Sequence, residues 1–118
     1  MNSREFVDSI KLVVRDASIN DTISILTNPP GRKVSSKLRA RSDWFNAQSE
    51  QEQRFLRETI ADAVDNAIFG VFCVLDGVRA VEDSATKGKF ELRFVKEASI
   101  LLNPTDAVML HELYNAQD

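Results

Sequence analysis

Apolar residues recur along this chain mostly at helical spacing, and in one stretch at strand spacing. Near the N-terminus Phe6, Ile10, Val13, Val14 and Ala17 share one helical face, and Arg4, Asp8, Lys11 and Arg15 take the other. The pattern predicts a helix from Asn2 or Ser3, with Glu5 placed to complete a capping box from Asn2. "SIND" at 18–21 reads as a second cap, opening a short helix with Ile19, Ile23 and Leu26 inward. "NPPG" at 28–31 stops it, because neither proline continues a helix and the first pushes Asn28 into extended backbone. Ser35 or Ser36 then starts a third helix through Phe45.

"SEQE" at 49–52 is the best capping box in the chain, and the longest helix follows it. Its inward stripe is Leu56, Ile60, Val64, Ile68, Phe72 and Leu75, backed by Ala63, Ala67 and Val71. The opposite face changes character along the helix. Arg57, Glu58, Asp62 and Asp65 want water; Phe69, Gly70, Cys73 and Val74 do not. The uninterrupted run from Ala67 to Leu75 rises only about 14 Å as a helix, too short for about 30 Å of hydrocarbon. A helix apolar all round is buried all round, so this second half is expected to be covered on both sides, with Gly77 as a left-handed exit. On that reading Ala63→Asp or Val71→Asp buries an unpaired charge and unfolds the protein. The cover is either the hairpin described next or a second copy of the chain lying on Asn66, Gly70 and Cys73, with Phe69 and Val74 beside them.

In "KFELRFVKEASILLN" Phe90, Leu92 and Phe94 alternate with Glu91 and Arg93, the period of a half-buried strand. Lys96 and Glu97 make the turn, and Ile100 to Leu102 return as partner. "VRAVE" at 78–82 leaves room for a third short strand. Asn103 is placed to cap a last helix with Pro104 at its first position, running to about Asn115. The fold class is α+β: residues 1–118 form a mostly helical single domain, with a long central helix, one antiparallel hairpin and a C-terminal helix.

The 118 residues, 43% hydrophobic and 28% charged, suit one domain with its own core. One cysteine makes no internal disulfide, and the N-terminal segment lacks the apolar core of a secretory signal. A cytoplasmic protein of bacterial type, with no membrane segment, is the expectation.

Candidate chemistry is sparse. Cys73 lies between Phe72 and Val74, a setting for a small buried hydrophobe rather than a reactive thiolate. "HELYN" at 111–115 begins like a zinc-peptidase helix, but Asn115 stands where the second histidine is needed. His111 is the single histidine in the chain; with one cysteine besides, no metal site and no cofactor are expected, and His111 reads as a surface or capping residue near a helix C-terminus. The glycines are isolated, so no phosphate loop is present. No catalytic residue is assigned and the protein is read as non-enzymatic. Charge is uneven, however. Arg32, Lys33, Lys37, Arg39 and Arg41 fall within ten residues that hold no acid, leaving ten basic against eighteen acidic residues elsewhere. Trp44 and Phe45 follow at once, a combination suited to single-stranded nucleic acid. The overall acidity, with a pI near 5.2, speaks against that use.

The segment "VFCVLDGVRAVED…KFELRF…ILLNP…LHELYN" resembles, in its order of elements, small uncharacterised families of bacterial genomes, some of them of the immunity-protein kind. The resemblance covers roughly the second half of the chain and brings no site residues. It implies a small acidic α+β protein that acts by binding another protein. The charges agree: Glu58, Asp62 and Asp65 share a helical face, with Glu82 and Asp83 after the helix exit. The expected function is a protein-interaction module, immunity- or inhibitor-like, that meets a basic partner through this acidic face, with Trp44 or Tyr114, whichever is exposed, as aromatic anchor. The alternative is nucleic-acid or phosphate binding through residues 32–41, and a homodimer remains open.

Overall fold

The computed structural model describes residues 1–116. Asn2 caps α1 (Ser3–Ile10), its side chain accepting the Glu5 amide at 2.8 Å. The helix then passes through a π-helical stretch, Lys11–Asp16, straight into α2 (Ala17–Thr27), so the expected cap at 18–21 does not form. Periodicity explains the difference. Val7, Lys11, Arg15, Ile19 and Ile23 recur every four residues, a row that drifts about 40° per step around an α-helix. A wider i→i+5 turn takes back part of that drift and keeps the row on one side. Val7, Ile19 and Ile23 are accordingly buried, whereas Val13 and Val14, expected inward, are exposed. Asn28, at φ −146°, ends α2 ahead of the two prolines as the sequence requires.

Ser35 caps α3 (Ser36–Asn46) through the Leu38 amide. Ser49 caps α4 (Glu50–Leu75), accepting the Glu52 amide at 3.1 Å and donating its hydroxyl to the Glu52 carboxylate at 3.0 Å. Gly77, at φ +78°, makes the left-handed exit. The pair α1–α2 runs antiparallel to α4. Phe6 meets Phe72 edge-on near one end, Arg15 bonds Asp65 midway, and Leu26 shares a cleft with Leu56 near the other.

Beyond α4 the chain doubles back as a strap. The amides of Val78 and Arg79 both donate to the Cys73 carbonyl, and the Arg79 guanidinium lies 2.7 Å from where a Cβ on Gly70 would stand. This strap, rather than the hairpin, lies over Gly70, and no third strand forms at 78–82 among the described residues. The hairpin itself is present but short: β1 (Arg93–Val95) pairs antiparallel with β2 (Ser99–Leu101), Phe94 opposite Ile100. Asn103 does not cap a helix. Buried, it donates Nδ2 to the carbonyls of Leu75 (2.7 Å) and Phe90 (2.9 Å), and its Oδ1 accepts the Leu92 amide (2.8 Å). One side chain thereby satisfies three backbone groups that no ladder serves, and it is unavailable at the start of α5, which begins only at Leu110 (Leu110–Asn115).

The core is divided. Val7, Phe72, Leu110, Leu113 and Tyr114 pack together where α1 and α5 meet the end of α4. Ile19, Ile23 and Phe45 are buried where α2 packs on α3 and α4. The shape is elongated, 50 × 35 × 30 Å with a radius of gyration of 18.5 Å, against about 13–14 Å for a compact chain of this length. Such a shape leaves one side of α4 open. Ala63 and Ala67 are exposed and Val71 is 58% exposed, which corrects the expectation that residues 66–76 are buried all round: α5, α1 and the strap cover two sides, and nothing among the described residues covers the third.

Urea unfolding tests this division of labour. Val71→Asp and Ala63→Asp are expected to shift stability by no more than about 0.5 kcal/mol. Leu110→Ala, at a site with no solvent exposure, should cost about 2–5 kcal/mol. Asn103→Ala leaves three backbone groups without their partner and should cost about 2–3 kcal/mol. A Val71→Asp variant as unstable as Leu110→Ala would mean that the open side of α4 is covered after all.

Candidate functional site

Two features of the structure gather functional groups, and they differ in what they can do. The first is an ionic clamp on the π-helical stretch. Its wide turn directs Arg15 across to α4, where Nε donates to Asp65 Oδ1 at 2.8 Å and a terminal nitrogen donates to Oδ2 at 3.2 Å. The other terminal nitrogen reaches Asp16 at 2.9 Å. The Tyr114 hydroxyl donates to Asp65 Oδ1 at 2.6 Å, and the Lys11 ammonium stands 5.6 Å from the Tyr114 ring centroid. Hydrogen bonding from Arg15 holds the Asp65 carboxyl below its ordinary range, with the Tyr114 bond adding to it against the opposing effect of burial. Burial, then the bond to Asp65, pushes the Tyr114 phenol upward, and Asp65 and Asp16 push the Arg15 guanidinium upward. Each group is driven deeper into the charge state it already has at neutral pH. Opposite charges held in bidentate contact fasten the helices on either side of the cluster.

A related arrangement sits at the end of α4. Asp76, its side chain fully buried, accepts through Oδ2 both the backbone amide of His111 (2.8 Å) and its Nδ1–H (2.7 Å). His111 therefore lies at the start of α5, not near a helix C-terminus as the sequence suggests, because the helix begins later than Pro104 implies. Phe69 meets its ring edge-on. Cys73 is buried. Among the described residues no three histidine, cysteine or carboxylate side chains converge.

The second feature is a groove of about 350 Å³ between α2, α3 and α4. Ile25 and Leu26 line it from α2, Leu38 and Trp44 from α3, and Leu56 and Ile60 from α4, with Thr22 and Arg41 at its edge. Its walls are fixed locally. Asn46 Nδ2 donates to the Thr27 carbonyl at 3.0 Å, tying the ends of α3 and α2, and Gln53 Nε2 donates to the Phe45 carbonyl at 2.9 Å, tying α4 to α3. Neighbouring residues on a helix point about 100° apart. Phe45 takes the core, so Trp44 is turned to the groove and remains 54% exposed.

The residues singled out from the sequence are thus distributed over several places. Glu58 and Asp62 are exposed on the side of α4 away from the groove, while Asp65 is held in the clamp and is only partly exposed. Glu82 accepts the Gly88 amide at 2.7 Å and closes the loop that follows the strap; Asp83 is exposed beside it. Of these five acids, Asp65 differs in being committed to an ion pair with Arg15. Arg32 and Lys33 are exposed in the loop before α3; Arg41 lines the groove with Trp44, Lys37 lies one turn before Arg41 on the same helical face, and Arg39 falls on another face. Of these residues, Trp44 and Arg41 line the groove between α2, α3 and α4, and Tyr114, the other candidate anchor, is buried in the core and so cannot serve as one. Sequence reasoning missed the clamp and the groove's α2 wall. The readable signals were the four-residue row through Lys11 and Arg15, and the adjacent aromatics at 44 and 45, which cannot both point inward.

No protein-family model, curated protein or solved structure matches this chain.

The clamp makes a pH prediction. Asp65 is lowered in the folded state relative to its ordinary value of 3.8. Its contribution is therefore complete above that value and is lost as pH falls below it, through the folded value. Asp65→Asn should lower stability at pH 7 and shrink the loss of stability between pH 5 and 2. Thermal melts across that range check it; parallel pH profiles for the parent and Asp65→Asn would exclude Asp65 as a source of the acid sensitivity.

Proposed function

We propose that this chain is a non-enzymatic protein-interaction module, acting as small inhibitor- or immunity-like proteins do, by occupying a partner. The observation that carries the reading is Trp44, 54% exposed beside an apolar groove whose walls are pinned by side-chain bonds. A large aromatic on a preformed concave surface loses little conformational freedom on binding and gains much apolar contact, which is why tryptophan dominates binding hot spots. The elongated shape supports the same reading, since it leaves apolar surface of α2, α3 and α4 in water. The acidic face contributes less than its sequence suggests. Glu58 and Asp62 remain exposed and would steer encounter with a cationic surface, but Asp65 is committed to Arg15. Contact is therefore assigned to the groove, and the exposed acids to steering.

The test is affinity capture from the native host with the parent and Trp44→Ala as paired baits. A specific partner should be retained by the parent and lost by the variant, with affinity reduced by roughly 2 kcal/mol or more and the fold weakened by only about 1 kcal/mol. A partner that binds both baits equally would place the interface elsewhere.

A further inference from the structure

The groove has a charged flank and an apolar extension, and together they specify an occupant. Helical spacing puts Lys37 and Arg41 one turn apart on the Trp44 side of α3, with Arg39 about 160° from Arg41. Among the described residues none of the cations of 32–41 makes an ion pair. The apolar lane continues past the end of α3. Leu56, Ile60, Ala63, Ala67 and Val71 fall within an arc of about 80° along about 22 Å of α4, and the last three are exposed.

Building on the assignment of the groove as a protein-binding site, we infer that its occupant is an amphipathic α-helix of a partner, apolar on one face and acidic on its flank. Such a helix sets aliphatic side chains at i, i+3, i+4 and i+7 against Trp44 and the α4 lane. Ala63 and Ala67 allow its axis to approach α4 closely, and its carboxylates meet Lys37 and Arg41. A basic helix would oppose like charges there, and a nucleic acid would engage the cations while leaving the apolar lane in water.

Trp44 is the chain's single tryptophan, so its emission reports the groove directly. Two synthetic helical peptides of about sixteen residues, free of tryptophan and tyrosine, carry leucine at the same helical spacing and either glutamate or lysine on the polar face. Titrated into the full chain, the glutamate peptide is expected to blue-shift Trp44 emission and to bind at least about tenfold more tightly than the lysine peptide, an advantage that shrinks as salt rises. The double variant Lys37→Glu/Arg41→Glu should reverse the preference; Arg39→Glu should preserve it. Equal affinity for the two peptides would overturn the acidic occupant while leaving the groove a binding site. No response to either would overturn the groove assignment as well. A single-stranded oligonucleotide that shifts Trp44 emission at lower concentration than the glutamate peptide would assign the cations to nucleic acid and refute the inference.

Discussion

The two-pronged bond from Arg15 to Asp65, buttressed by the Tyr114 hydroxyl, sets how α1–α2 lie along α4, and most of the remaining structure follows from that alignment. Shifting either helix by one turn would separate the guanidinium from its carboxylate and carry Phe6 away from Phe72 and Ile19 and Ile23 out of their buried positions. Ion pairs as exposed as this one add little net stability. The clamp's effect is on choice: apolar stripes tolerate sliding, and a bidentate charged contact admits one register. The π-helical stretch belongs to the same device, because only the widened turn lets Arg15 and the buried residues on either side of it share a face.

What could be read from the sequence was local. Caps at Asn2, Ser35 and Ser49, the stop at Pro29–Pro30 and the exit at Gly77 depend on a few neighbouring residues, and all stand where the pattern puts them. So does the hairpin, whose alternation survives in a shortened form. The misreadings share another cause. Asn103 looks like a cap because asparagine before proline usually is one, yet backbone carbonyls distant in sequence, at the end of α4 and at Phe90, claim its side chain. Val71 looks buried because its helix is apolar on every side, yet burial depends on what the rest of the chain can reach. Trp44 was recognisable as a candidate, but its groove was not, since two of the three walls come from helices whose relative placement is set by the clamp.

The division of the core bears on how such a small chain keeps an apolar groove open to water. Packing is densest where α1, α4 and α5 meet, around Val7 and Leu110, while the α2–α3 end keeps apolar side chains in water. The tight cluster and the open groove thus draw on different stretches of one long helix. Substitutions that tune the groove need not disturb the tighter cluster, and residues more than about 10 Å apart contribute nearly independently to stability.

Asp76 shows how one carboxylate can close a fold. As the C-cap residue of α4 it places negative charge at the negative end of that helix's macrodipole, normally an unfavourable position. The same carboxylate lies at the positive end of α5, accepting the His111 amide, so the two dipoles meet head to tail through it. A six-residue helix cannot persist alone in water; α5 therefore exists only while docked. Docking through Asp76 thereby couples the whole of α5 to the end of α4.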